Sequence, residues 1–257
     1  MAADVAPTQR GLLPLHLRRA TRRAKRSGGR IRNKKLIDGA PAIALGVLAA
    51  GFMNGVTSPA RKWLKVKRPG AQAYQDPDAG ASETHNEIRK KILETLAGTN
   101  YYDSRAMQVL DGCGLGTGVL LCYEDRDAIC KFTLCPPGTY MLLTDASNTI
   151  TGFVREFKLK ATDMLAEFGE SALPSDIVER AKKGGAQGRT EYLVTHLIEE
   201  NGDDGFISAR TPFRECYWLS APNSKAPPYL AKRPLYEWPV AVMRWACPDE
   251  ATYGVPP

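Results

Sequence analysis

The chain has 257 residues, 43% of them hydrophobic and 25% charged, enough to build a sizeable core as one large domain or two small ones. No stretch reaches the roughly 18 to 20 consecutive apolar residues of a bilayer-spanning helix, and Met1–Arg10 lacks the order of basic region, apolar core and cleavage site of a secretory signal. These features predict an intracellular or virion-internal protein with no membrane partner. The net charge of +7 is unevenly placed: eleven Lys or Arg and no acid lie between Arg10 and Lys35, so residues 1–37 carry +10 and the rest −3.

That basic arm comes first in the chain. Its residues Arg18, Arg19, Arg22, Arg23, Lys25 and Arg26 are the candidate contacts to nucleic acid or to an acidic neighbour in an assembly, because a cationic segment on a nearly neutral body is suited to phosphate. The opposing reading is a solvated tail. Helix formers run to Arg26 and a Ser-Gly-Gly break follows, so at most the first half of Leu15–Lys35 is expected to be helical.

The next segment, Ala40–Met53, reads as a helix with Asp38 available as a cap, Pro41 in the first turn and Thr57-Ser58-Pro59 as the stop. Being apolar nearly all round, it is expected to pack on every side. Ala60–Val66 reads as extended and 68–82 as an exposed linker. Thr84 and Glu87 form a capping box that predicts a helix start there, with Ile88, Ile92, Leu93 and Leu96 as its apolar stripe and Gly98 as its end. A further helix is expected from about Tyr102 to Leu115, with Met107, Leu110 and Cys113 inward.

From Gly118 the period becomes that of strands: GVLLCYE, AICKFTL, TYMLLTD, a turn at 145–148, then TITGFVREFKL. Short helices are expected at 161–168 and 175–182, and strands again at 190–198, around 214–219 and around 240–245. Helices first, then a mostly antiparallel strand meander with short inserted helices, is an α+β pattern.

Motifs for chemistry are weak. Gly112–Gly118 reads GCGLGTG, which does not match the G-x-G-x-x-G spacing, precedes a strand and lacks the G-K-[ST] of a phosphate loop. Its glycines are read as allowing a tight helix-to-strand turn or a close approach of two backbones. His16, His85 and His196 are not accompanied by a nucleophile elbow or a metal-binding helix motif, and His196 reads as a strand-face core residue. Cys130 and Cys135 could open a zinc site only with a second pair of soft ligands, and none is well placed; the six cysteines are read as reduced, mostly buried thiols. The expectation is therefore no enzyme, no cofactor and no metal.

Three separated segments carry a family resemblance. They are DGAPAIALGVLAAGFMNGVTSPARKWLKV with Pro59 and Trp63, ITGFVREFKLKATDMLAEFG with Arg155 and Glu156, and WPVAVMRWACPDEATYGVPP with Arg244, Trp245, Tyr253 and Gly254. In this order, with D-G-x-G-x-G-x-G-V-L between the first two, they resemble the head-to-tail connector (portal) proteins of short-tailed bacteriophages. The resemblance implies a structural subunit of a twelve-membered homo-oligomeric ring at one capsid vertex, assembled in the host cytoplasm. That ring would pass double-stranded DNA during packaging and ejection and dock capsid protein, terminase and tail adaptor proteins. It also implies that 38–257 is the α+β, wing-like domain of such a subunit and that the chain is truncated before the channel helices. The family-motif residues would then serve packing, ion pairs or ring contacts, with Tyr253 and Gly254 setting a turn. The alternative from charge alone is a non-enzymatic nucleic-acid-binding α+β protein that uses the arm.

Overall fold

The computed structural model describes residues 39–66, 79–201, 211–220, 227–248 and 251–257. The basic arm, Asp38 and most of the linker expected at 68–82 lie outside the described residues. The chain divides into two units, the first formed by 1–137, 239–246 and 254–257 and the second by 138–238 and 247–253.

In the first unit, α1 (Ala40–Val56) starts at Gly39 with Pro41 in its first turn and ends where the Thr57 N–H bonds to the Met53 carbonyl. Its sequence predicts burial all round, but only Leu45 and Ala49 are buried, against Val109 and Cys113 with Phe52, Met53 and Trp245 beside them. Ile43, Val47, Leu48 and Val56 are exposed and forgo part of the stabilisation that full burial would bring. Residues 60–66 form no strand.

Helix α2 (Ala79–Gly98) begins five residues before Thr84, so the Thr84/Glu87 box is inside the helix and does not cap it. The hydrogen-bond ladder runs on upstream through Gly80, so the local start signal does not set the boundary. Its stripe is shallow: Ile88 and Ile92 remain exposed.

Helix α3 (Tyr101–Leu115) is the centre of this unit, burying Gln108, Val109, Asp111, Gly112, Cys113 and Gly114. It ends on Gly116 at φ +82, a left-handed conformation that suits glycine. The chain turns directly into β1 (Thr117–Asp125), which pairs antiparallel with β2 (Ile129–Cys135) on one side and with β8 (Val240–Arg244) on the other. The strand order is thus β2-β1-β8.

In the second unit β3 (Tyr140–Thr144), β4 (Ile150–Lys160), β5 (Glu191–Glu200), β6 (Phe213–Leu219) and β7 (Ala231–Leu235) form an antiparallel sheet in sequence order. Between β4 and β5 come α4 (Ala161–Phe168), α5 (Ser175–Lys183) and the single turn α6 (Gly185–Gly188). Ala161, Met164, Ile177 and Ala181 of these helices pack on Val194, Tyr217 and Leu219, covering one sheet face. Strand alternation places Leu197, Cys216 and Trp218 on the opposite face, together with Met141 and Leu143, which are exposed. Among the described residues no helix is long and apolar enough to cross a membrane. The α+β class is the one expected, helices first and the meander after.

Candidate functional site

The glycine segment is the tightest place in the first unit. A Cβ at Gly116 would stand 1.9 Å from the Gly254 carbonyl oxygen, and one at Gly118 2.2 Å from the Gln108 carbonyl oxygen. Both readings of the motif, the turn and the close approach, are realised. Gln108, buried to 1% exposure, donates through Nε2 to the carbonyls of Gly118 (3.2 Å) and Ala241 (2.8 Å). One amide thereby ties helix α3 to two neighbouring strands. Nothing in the sequence marked Gln108, because its two partners lie at opposite ends of the fold's connectivity.

Several of the family-motif residues make contacts within their own unit. Trp63 stacks on Tyr101 (6.1 Å between centroids) and donates from Nε1 to Tyr102 Oη at 3.2 Å. Trp245 lies against Phe52 at 5.8 Å, and its backbone N–H donates to the Gly116 carbonyl. Arg244 stands opposite Thr117 in the β1/β8 register, and Pro59 is exposed just beyond α1. Tyr253 and Gly254, adjacent in sequence, are held in different units. The Tyr253 hydroxyl accepts from the Leu142 N–H on the outer edge of β3 (3.0 Å), while the Gly254 N–H donates to Thr117 Oγ1 (2.8 Å).

Arg155 belongs to a buried polar cluster. Alternation along β4, β5 and β6 points Arg155, His196, Glu215 and Tyr217 to one face of the second sheet. Arg155 Nε donates to His196 Nδ1 at 2.9 Å, so the ring proton sits on Nε2, 2.8 Å from Glu215 Oε1 in a short but poorly aligned contact. Tyr217 donates to the same Glu215 oxygen at 2.7 Å and stacks flat on His196, with centroids 4.2 Å apart. Phe153 and Phe157 meet the imidazole edge-on, and the Arg155 guanidinium lies over Phe157 at 4.4 Å. Burial lowers the His196 pKa, favouring the neutral ring, and together with Glu215 raises that of Tyr217. At 0% exposure the imidazole reaches no solvent, so this arrangement acts as a polar joint across three strands. Glu156, the other half of the Arg-Glu pair, points to the opposite face, across from Thr195.

No disulfide joins the cysteines, Cys113, Cys135 and Cys216 are buried, and among the described residues no group of His, Cys, Asp or Glu is placed to hold a metal ion. The six candidate arm cations lie outside the described residues.

The family model of the bacteriophage head to tail connecting protein matches residues 9–257. The chain belongs to that family. Among its relatives in this family is the portal protein of Salmonella phage epsilon15, 27% identical over 230 residues, a match that takes in 87% of this chain and 40% of that one. A probable portal protein of Bordetella phage BPP-1 is 26% identical over 178 residues, or 69% of this chain and 31% of the other. The chain therefore spans well under half the length of these connector-family relatives, and all three segments that carry the resemblance fall inside the family match.

Proposed function

We propose that this chain is a structural, non-enzymatic part of a phage portal, residues 38–257 contributing the wing-like region of one subunit in a homo-oligomeric ring of twelve. The observation that carries the reading is the connector-family match over 9–257, joined to two relatives named as portal or probable portal proteins. The ring sits at a capsid vertex of the virion after assembly in the host cytoplasm and serves as the conduit for double-stranded DNA. It docks capsid protein, terminase and tail adaptor proteins. The buried, desolvated state of the polar cluster agrees with a load-carrying role for the sheet rather than with chemistry at an accessible site.

Electron microscopy of the full-length gene product tests this reading. Closed rings with a central channel are the expected result, and a protein that remains monomeric at micromolar concentration would overturn it. The arm's charge favours a role for Arg18, Arg19, Arg22, Arg23, Lys25 and Arg26 on DNA or on an acidic neighbour within the assembly.

A further inference from the structure

Beyond α1, residues 60–66 form neither helix nor strand, yet their backbone is held at several points. Thr57 and Ser58 are buried, the Ala60 N–H donates to Ser58 Oγ at 3.3 Å, and the Trp63 N–H donates to the Arg61 carbonyl at 3.0 Å. The Trp63 ring joins a cluster in which Tyr101 meets Tyr102 and Phe132 edge-on, each at 5.1 Å between centroids. That cluster fastens the segment to α3 and β2. The side chains sort accordingly: Trp63, Leu64 and Val66 are half-buried, whereas Arg61, Lys62 and Lys65 are exposed.

Three cations thus stand within five positions on a segment whose backbone is already ordered. The sequence has no acid between Asp38 and Asp76. Among the described residues no carboxylate forms an ion pair with Arg61, Lys62 or Lys65, and Asp103, the acid in the first turn of α3, is no exception. The net −3 of the chain beyond residue 37 therefore conceals a locally positive strip. Its cations come from one ordered segment rather than from several elements converging on a point, and the four residue steps from Arg61 to Lys65 cover at most about 14 Å. A line of that length suits a polyanion better than a single anion, and one strand of duplex DNA presents a charge every ~3.4 Å of axis. Because the backbone is held before binding, little further ordering opposes the contact.

We propose that Arg61, Lys62 and Lys65 form a phosphate-contacting strip for duplex DNA on the first unit, separate from the basic arm. The choice of DNA over an acidic protein rests on the portal reading above; the exposure and charge of the strip do not. Its contacts are independent of base sequence, since lysine and arginine on phosphates carry no base information. Each cation that neutralises a phosphate releases counterions and adds about 0.9 to the steepness with which log affinity falls against log salt.

The test uses the full-length gene product and two short duplexes of unrelated sequence, titrated between about 50 and 200 mM salt. The triple variant Arg61→Gln, Lys62→Gln, Lys65→Gln changes exposed side chains only and is expected to melt at the unaltered temperature. It should bind both duplexes at least tenfold more weakly at the lower salt, with a slope shallower by about 2–3. The charge-preserving triple Arg61→Lys, Lys62→Arg, Lys65→Arg should bind as the unaltered protein does. Lys65→Gln alone, which guards against a folding defect in the triple, should make the slope shallower by about 0.9. An unchanged slope in the glutamine variants overturns the strip and leaves the portal reading intact, and so does an unaltered protein that binds neither duplex. Loss on one duplex only, or equal loss in the charge-preserving triple, also overturns the phosphate contact. Absence of rings from the unaltered protein overturns the portal reading, while slopes that fall as stated still uphold the strip.

Discussion

His196 holds three partners at once, and two of them, Arg155 and Glu215, bear on its protonation. Its Nδ1 lone pair accepts from Arg155, so a second ring proton would set two donors, one of them on a cation, face to face. Arg155 and a proton compete for one nitrogen. Because the folded pKa is lowered from the ordinary value near 6.5, the unfolded chain takes up the proton first as pH falls. The stability associated with neutral His196 is fully present above about pH 6.5 and is lost as pH falls from there through the folded value. Urea unfolding at pH 7.5 and pH 5.5 should show the second unit weakening at the lower pH. His196→Gln, which keeps one donor and one acceptor, should cost about 1–3 kcal/mol at pH 7.5 and show a shallower loss between the two. Equal pH slopes for both proteins would contradict the argument. The cluster was not legible in the sequence: its members come from β4, β5 and β6, and only the strand register brings them to one face. The sequence showed His196 as a strand-face residue and Arg155 as half of an adjacent Arg-Glu pair, whereas alternation sends Glu156 away from it.

At the scale of elements, two glycines have opposite requirements. Gly118→Ala drives a methyl group into the Gln108 carbonyl, and backbone cannot move aside as a side-chain tip can. Thermal unfolding should register a loss of roughly 1–3 kcal/mol in the first unit. Gly46→Ala, on a helix position with nothing within 4 Å, should instead gain about 0.5–1 kcal/mol. Strand β2 supplies a third case. Asn100 donates from Nδ2 to the Phe132 carbonyl (2.7 Å) and accepts from the Phe132 N–H (3.0 Å), doing at one residue what a neighbouring strand would do. Asn100→Ala should cost about 1–3 kcal/mol and speed hydrogen exchange at the Phe132 amide, since an edge left open is also a template for unwanted pairing. Elements with a strong local period, such as β1, β4, α4 and α5, were readable within a residue or two. Strand β7 was not, because AKRPL has no apolar alternation and its Pro234 fits only an edge. Nor could the apolarity of α1 tell whether its faces belong to the core of its own unit or to a surface.

For the whole molecule, charge and mass of sheet are separated along the chain. The +10 carried by residues 1–37 contrasts with −3 on the remainder, so attraction to DNA should depend on the arm. Deleting 1–37 from the full-length gene product should weaken binding to duplex DNA at 50 mM salt by at least tenfold and flatten the dependence of binding on salt concentration, as filter binding across a salt series would show. An unchanged salt slope would contradict a role for the arm on phosphate.

The insertion of the second unit between β2 and β8 also sets a timetable. Gln108 has its second carbonyl partner in Ala241, 133 positions later, and the β1 strand has no neighbour on that side until β8 exists. At about 5–20 residues per second, a ribosome needs on the order of ten seconds to deliver that strand. For that interval the nascent first unit carries an unfilled slot beside β1, while the meander of the second unit is completed and can fold ahead of it. The half begun first is the half finished last, and whatever protects β1 from pairing with the wrong strand must act during translation.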